Sequence, residues 1–141
     1  MSTYADTSFL VSLYIADANS ASAAQAMRSQ PTVFLTPLAE LELVNALELA
    51  LFRRQFRAAE IRASLAAFRQ DIAGGVYSLQ PLPTAAFEMA TRIARRRSAR
   101  LGTRTLDILH VASALLLRAE RFLTFDDRQR QLARAEGLAI R

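Results

Sequence analysis

The chain has 141 residues, 52% of them hydrophobic and 22% charged, which indicates one compact domain spanning residues 1–141. Cysteine is absent, which excludes a disulfide framework, a thiolate metal site and a cysteine nucleophile. All 18 basic residues are arginines, and the lack of lysine excludes a Walker-type phosphate-binding loop. The net charge of +5 favours an acidic partner, either a nucleic acid or a protein.

The sequence has no apolar run of membrane-spanning length and no secretory signal pattern at its N-terminus. We therefore expect a cytoplasmic protein without a membrane partner.

Apolar runs, capping residues and glycines predict an alternation of short strands and helices. In chain order, the pattern predicts strand 3–6, helix 8–15, a helix capped by Asn19 or Ser20, strand 32–35, helix 37–52, helix 58–73, strand 76–79, helix 83–97, helix 106–118, strand 121–124, helix 127–136 and strand 138–140. Strands separated by helices indicate right-handed crossovers and an α/β fold with a largely parallel sheet. Ligands bind such sheets beyond the carboxyl ends of the strands.

Four acids stand out because the hydrophobic pattern does not require them: Asp6, Glu42, Asp107 and Asp126. Asp6 ends the first predicted strand and Asp126 lies just after the fourth, and at these positions each is either a helix N-cap or a ligand. Asp107, in a first helical turn, is explained equally by the helix dipole or by a site. Glu42 lies on a helical stripe whose other members are Leu38, Asn45, Ala46 and Leu49. A buried carboxylate is costly without a partner, which favours a ligand role for Glu42.

If these acids converge, each close pair repels by about 4 kcal/mol at an effective dielectric near 20. A cation must offset this repulsion, and Mg²⁺ or Mn²⁺ suits a site made only of oxygen ligands. The pattern therefore predicts metal-assisted chemistry.

Polar neighbours of the acids have several interpretations. Thr124 adds a hydroxyl at the strand edge, and Asn45 is placed to bond Glu42 or a metal-bound water. His110, the single histidine, is more often a packing residue than a base on such an apolar helix. Arg100 and Arg104, assigned to a loop beside the acids, are candidate phosphate ligands.

Four segments together resemble the acidic motifs of PIN-domain ribonucleases, in particular the VapC-type toxins of bacterial toxin–antitoxin pairs. These segments are YADTS at 4–8, ELVNAL at 42–47, LDILHVA at 106–112 and LTFD at 123–126. The resemblance covers the whole chain in the right order. Two alternatives stay open within the motifs, namely Asp127 in place of Asp126 and Glu40 in place of Glu42.

The resemblance implies a three-layer α/β/α fold with a central, mainly parallel sheet of four or five strands. It also implies an RNA-cleaving enzyme that uses Mg²⁺ or Mn²⁺ and is usually a homodimer. The site residues carried over are the acids Asp6, Glu42, Asp107 and Asp126, with Thr7, Ser8 and Asn45 as supporting polar groups. The implied partner is a small antitoxin whose acidic or arginine-bearing tail occupies the groove.

The sequence thus predicts a metal-dependent endoribonuclease acting as a toxin, and two other functions compete with it. One is a non-catalytic RNA- or protein-binding module that keeps the acids, and the other is a nuclease for structured DNA. We also expect part of helices 37–52 and 58–73 to form an interface, because their apolar residues exceed what one core can bury. Those residues are Leu47, Leu51, Phe52, Phe56 and Leu65.

Overall fold

In the computed structural model, which describes residues 1–140, five strands alternate with seven helices in one α/β unit. The strands are β1 (Ser2–Ala5), β2 (Thr32–Leu35), β3 (Tyr77–Leu79), β4 (Arg121–Leu123) and β5 (Ala139–Ile140). The helices are α1 (Thr7–Tyr14), α2 (Ser20–Arg28), α3 (Pro37–Phe52), α4 (Ala58–Ala73), α5 (Ala86–Leu101), α6 (Thr105–Leu116) and α7 (Asp127–Ala135). The predicted α/β class with a parallel sheet is confirmed.

The sheet has the strand order β3-β2-β1-β4-β5, and each neighbouring pair is parallel. The chain builds outward from β1 to one side through β2 and β3, and to the other side through β4 and β5. The strand order therefore reverses beside β1, where Ala5 pairs with Leu123. Such a reversal opens a crevice at the carboxyl ends of the two strands, the usual ligand position in open α/β sheets.

The sheet is covered on both faces by buried apolar clusters. One cluster joins Ala5 and Leu123 to α1, α3 and α4, through Leu10, Leu43 and Phe68. On the other face, α5, α6 and α7 pack through a second group that includes Tyr4, Ile93, Val111, Phe122 and Leu132. Adjacent β1 residues thus belong to opposite faces, as the two-residue period of a strand requires. The three-layer arrangement expected from the resemblance is the observed one.

Helix α3 begins and ends as its sequence signals predict. The Thr36 side chain accepts a hydrogen bond from the Ala39 N–H, and Pro37 occupies the first helical position, where no N–H is needed. The predicted bounds of β2, α3 and α4 agree with the structure, and most others differ by one or two residues.

One helix was placed wrongly. The predicted helix 83–97 begins instead at Ala86 and continues to Leu101. Residues 81–83 form no regular element and residues 84–85 form a turn, so the helix starts only at Ala86. A proline disfavours a helical conformation in the residue before it, which is consistent with this late start. The helix continues until Gly102, whose positive φ of 63° ends it. Arg100 consequently lies in the last turn of α5, and its assignment to a loop is wrong.

The apolar residues of α3 and α4 are mostly used inside the domain. Leu47 is fully buried, and Leu51, Phe56 and Leu65 are partly buried against the first cluster. Phe52 differs from them because its side chain is 82% exposed. The five residues are therefore not all buried in the core, as expected, and Phe52 is the member of the set whose side chain is left exposed.

No helix in residues 1–140 combines the length and the apolar character that crossing a bilayer requires.

Candidate active site at the carboxyl edge of the sheet

Asp6 follows β1 directly and is both the N-cap of α1 and the most enclosed acid of the cavity. Its side chain accepts hydrogen bonds from the Phe9 N–H at 3.0 Å and from the Ser8 hydroxyl at 2.7 Å, both to Oδ1. The Thr124 hydroxyl donates to Oδ2 at 2.6 Å. Burial raises the pKa of Asp6, while the donors from Thr124, Ser8 and Phe9 oppose that rise. The cap and site interpretations of Asp6 are thus compatible.

Thr124, at the end of β4, links Asp6 to the second strand-end acid. Its hydroxyl oxygen accepts the Asp126 N–H at 3.0 Å and lies 3.1 Å from the Ser8 hydroxyl. Asp126 in turn caps α7, because its Oδ1 accepts the N–H groups of Arg128 and Gln129. The other oxygen of Asp126, Oδ2, accepts a hydrogen bond from Arg104.

Arg104 bridges Asp107 and Asp126. Its Nε donates to Asp107 at 2.9 Å and its Nη2 to Asp126 Oδ2 at 3.3 Å. The hydrogen bond to Asp107 is the main cause that raises the pKa of the Arg104 guanidinium. Since the Arg104 side chain is 67% exposed, each ion pair contributes no more than about 1 kcal/mol.

Glu42 is held by His110 across the cavity. The Nε2 atom of His110 is in a short contact with Glu42 Oε1 and lies 3.5 Å from the Thr7 hydroxyl. On the opposite side of the ring, Nδ1 is 2.8 Å from the Tyr4 hydroxyl. His110 is almost completely buried, whereas 24% of the Glu42 side chain is exposed. The packing interpretation of His110 is therefore incomplete, because the ring also holds a carboxylate of the cavity.

These groups line one cavity of about 200 Å³ at the carboxyl edge of the sheet. Its lining residues are Asp6, Thr7, Ser8, Glu42, Arg104, Asp107, His110 and Asp126. The sequence-predicted acids, which span 120 positions of the chain, are brought together in the folded domain. Thr124 lies directly beneath through its bond to Asp6.

Besides Thr124, which reaches the site through Asp6, two predicted site residues do not line the cavity. Asn45 is exposed on α3 and does not line it, because the buried stripe of α3 consists of Ala39, Leu43, Leu47 and Ala50. The stripe predicted to face the core was therefore the wrong face of α3. Glu42 is partly buried and lies at the edge of the stripe that is buried. Arg100 is exposed in α5 and does not line the cavity either.

The two alternatives within the motifs are separated by position. Asp127 is 84% exposed and pairs with Arg130 rather than facing the cavity. Glu40 is exposed and borders a different depression, beside Pro37, Leu79 and Pro81. Asp126 and Glu42 are thus the acids of their pairs that line the cavity.

The oxygen donors suit a hard divalent ion, and their present partners define what such an ion would displace. Within residues 1–140, no three His, Asp or Glu side chains are arranged to hold one ion. Each acid is instead bound by protein donors, with Arg104 on Asp107 and Asp126, and His110 on Glu42. From the sequence we expected a metal ion to offset the repulsion between the acids, and Arg104 offsets part of that repulsion in the structure. The oxygen chemistry of the acids suits a hard divalent ion, and such an ion would have to displace Arg104 from Asp107 and Asp126.

Gln129 is a polar contact of the site that the sequence did not indicate. It is fully buried in α7, and its Nε2 donates to the Asp107 carbonyl at 3.1 Å, so it joins α7 to the first turn of α6. Its Oε1 has no hydrogen-bond partner in the described residues. The segment QRQLARA that begins at Gln129 has the composition of a solvent-exposed helix, so the sequence does not predict this buried contact.

The parallel sheet, with carboxylates gathered where the strand order reverses, places the chain among open α/β proteins that bind a ligand at the carboxyl ends of their strands. Comparison with known families then identifies it: the PIN domain model matches residues 3–135, so the chain belongs to this family of nucleases. No curated protein sequence matches the chain.

Solved structures similar to this chain share its fold. VapC20 of Mycobacterium tuberculosis, described as a toxin that cleaves the sarcin–ricin loop, has a TM-score of 0.72 at 21% identity, over 97% of this chain and 96% of its own. FitAcB of Neisseria gonorrhoeae has a TM-score of 0.72 at 16% identity, covering 98% of this chain and 95% of its own. VapBC2 of Rickettsia felis, solved with a DNA fragment from its promoter, has a TM-score of 0.67 at 13% identity, covering 100% and 98%.

Proposed function

We propose that this protein is a metal-dependent endoribonuclease that acts as the toxin of a type II toxin–antitoxin pair. The observation that carries the proposal is the convergence of Asp6, Glu42, Asp107 and Asp126 on one cavity at the strand-order reversal. Membership of the PIN domain family supports hydrolysis of nucleic acid, and the toxin names of the structural neighbours support the biological role.

The residues that would hold Mg²⁺ or Mn²⁺ are Asp6, Glu42, Asp107 and Asp126. A divalent ion at such a site lowers the pKa of bound water and neutralises charge that develops on the phosphate. The protein contributes rigid placement of the ligands. Ser8, Thr124 and the Phe9 N–H fix both oxygens of Asp6, so the carboxylate faces the cavity in one orientation.

Arg104 and Arg100 are the proposed contacts for RNA phosphates. Arg104 stands at the cavity mouth with two thirds of its side chain exposed. A guanidinium released from Asp107 and Asp126 is well suited to a phosphate, because it offers paired N–H donors. Arg100 lies in the last turn of α5, two residues before Gly102, and its exposure leaves it free for a more distant phosphate. The net charge of +5 favours association with RNA in general.

The proposed protein partner is a small antitoxin, and the proposed assembly is a homodimer in the cytoplasm. The name of VapBC2 indicates a toxin–antitoxin complex, which supports an antitoxin partner. An arginine or an acidic tail would find suitable partners here, since the cavity holds acids and the surface is basic. Sedimentation velocity of the chain with and without the antitoxin tests both assemblies.

Cleavage of labelled RNA by the purified chain tests the proposed activity. We expect cleavage with Mg²⁺ or Mn²⁺, none after chelation, and none in Asp107→Asn. The matched control is Asp127→Asn, since Asp127 is exposed outside the cavity and its loss should leave cleavage unchanged. Metal-independent cleavage, or full activity of Asp107→Asn, would contradict the proposal. Parallel reactions with single-stranded and structured DNA test the DNA nuclease alternative.

One observation favours a second candidate, a non-catalytic RNA- or protein-binding module. The acids already have protein partners, and in the described residues no three of them form a shared ligand set. A binding module would hold RNA equally well with and without chelator and would never shorten it. Calorimetric titration with Mn²⁺ separates the candidates, because only the nuclease should bind the ion in the cavity.

A further inference from the structure

A hydrogen-bonded chain runs from the N-cap of α3 through the sheet to the cavity. The Ala39 N–H donates to Thr36 Oγ1 at 3.3 Å, and Thr36 Oγ1 lies 3.4 Å from the Tyr4 hydroxyl. The Tyr4 hydroxyl lies 2.8 Å from His110 Nδ1, and His110 Nε2 contacts Glu42. Three secondary-structure elements, α3 with its N-cap, β1 and α6, therefore contribute to the placement of one carboxylate.

We propose that His110 is a positioning residue that holds Glu42 through an Nε2 proton, with the ring fixed by the Tyr4 hydroxyl. This inference rests on the proposed function only in assigning Glu42 to the metal site. The hydrogen-bonded chain itself is a property of the protein without any ion.

The direction of the chain follows from its donors. Since Thr36 Oγ1 already accepts the Ala39 N–H, the Thr36 proton is free to point at the Tyr4 oxygen. The Tyr4 proton then points at His110 Nδ1, which leaves the imidazole proton on Nε2, towards Glu42. A phenol is protonated at neutral pH, so the Tyr4 hydroxyl has one proton to donate.

Packing holds the ring in place independently of the hydrogen bonds. Tyr4 and Phe122 are stacked at 5.5 Å, and the Tyr4 and His110 rings meet edge to face at 5.7 Å. All three side chains are almost completely buried. A ring so enclosed cannot rotate away from Glu42 without moving the sheet.

A purely structural histidine would behave differently on substitution. On an apolar helix such as α6, His110→Leu would preserve packing and should be tolerated best if packing were its role. Under the proposal, His110→Gln is tolerated better, because the Gln amide offers an N–H near the position of Nε2. Partners of metal ligands commonly contribute about 10- to 100-fold to metal affinity.

The first experiment observes the proton directly by long-range ¹H–¹⁵N NMR at one fixed pH, without metal. Because the chain has one histidine, the imidazole signals belong to His110 without further assignment. We expect a proton on Nε2, with a resonance that moves in Glu42→Gln and stays in Glu40→Gln, since Glu40 is exposed outside the cavity. A proton on Nδ1 alone, or an Nε2 resonance indifferent to Glu42→Gln, would overturn the proposal.

The second experiment measures Mn²⁺ affinity by calorimetry for folded variants, with folding checked by circular dichroism. His110→Leu should lose about tenfold or more in affinity, His110→Gln should lose less, and Tyr4→Phe should fall between wild type and His110→Leu. Equal affinities for Leu and Gln variants would refute the positioning role. If the wild-type protein binds no Mn²⁺, the proposed function fails. The NMR experiment, which uses no metal, still tests the hydrogen bonds that link Tyr4, His110 and Glu42.

Discussion

The Thr124 hydroxyl donates a hydrogen bond of 2.6 Å to Asp6 Oδ2, although the two residues are 118 positions apart in the chain. The contact forms because β1 and β4 are parallel neighbours, with Ala5 paired to Leu123, so their next residues meet at the same edge. The same hydroxyl oxygen accepts the Asp126 N–H. One small side chain thus sets the relative position of two acids.

Replacing Thr124 by valine tests this role. Valine has nearly the same shape, so packing is kept, but Asp6 Oδ2 and the Asp126 N–H each lose a partner. We expect a loss of about 1–3 kcal/mol in the free energy of unfolding, the usual cost of a buried group left unpaired. Urea denaturation measures it, and Thr124→Ser, which keeps the hydroxyl, should stay close to wild type. A valine variant as stable as the serine variant would contradict this role.

Asp6→Asn should stabilise the metal-free protein at neutral pH while it abolishes cleavage. Burial raises the pKa of Asp6, so its charged form is less favourable in the folded state than in the unfolded chain. An amide removes that cost and keeps an acceptor for Phe9 and Ser8, and its NH₂ can donate to Thr124. A gain of about 0.5–2 kcal/mol is the usual size for such a change.

The sign of the pH dependence follows from the same shift in the pKa of Asp6. Because the folded state holds the Asp6 proton more tightly, wild-type stability falls as the pH rises from the ordinary value towards the raised one. The advantage of Asp6→Asn should therefore be full above the raised pKa and vanish below the ordinary value. Denaturation curves across the acid range measure it, and an advantage independent of pH would refute the assignment to Asp6. Added Mg²⁺ should stabilise wild type alone.

Arg104→Gln should slightly lower the free energy of unfolding of the metal-free protein and raise its affinity for metal. Two exposed ion pairs to Asp107 and Asp126 are lost, at a cost of about 1 kcal/mol or less each. An ion entering the cavity no longer competes with the guanidinium, so Mn²⁺ affinity should rise severalfold. Calorimetry measures the affinity, and Arg57→Gln is the control, since within residues 1–140 Arg57 forms its one ion pair with Glu60 at the start of α4. Weaker Mn²⁺ binding in Arg104→Gln would show that Arg104 supports the ion instead.

The fold was predicted correctly from the sequence where several local signals agree. In α3 the Thr36 cap, Pro37 and an uninterrupted run of helix formers specify the same element, and its predicted bounds are correct. The parallel sheet followed from strands separated by helices, a pattern that depends on order rather than on contacts. The start of α5 was missed because Pro83 is acceptable both as a first helical residue and in an extended segment.

The site was only partly accessible from the sequence. Acids at strand ends could be expected to meet, because the carboxyl ends of parallel strands share an edge. The face of α3 could not be chosen, since Leu38, Leu41, Leu43 and Val44 make the helix apolar almost all round, which misplaced Asn45. The contacts of Arg104 and Gln129 depend on how α6 and α7 meet, and no local pattern encodes that.

Arg100 and Arg104 should differ in their effect on RNA binding when metal is absent. Each phosphate contact to single-stranded RNA contributes about 0.7 to the slope of log affinity against log salt. When a chelator removes the metal, Arg104 stays paired with Asp107 and Asp126, so Arg104→Gln should change the slope little. Arg100→Gln should reduce the slope by about 0.7 for each lost phosphate contact. Fluorescence anisotropy across a salt series measures the slopes, with Arg57→Gln as the unaffected reference. An Arg100→Gln slope equal to wild type would exclude Arg100 from the RNA surface, and a large loss for Arg104→Gln would show that RNA alone can draw the guanidinium from the acids.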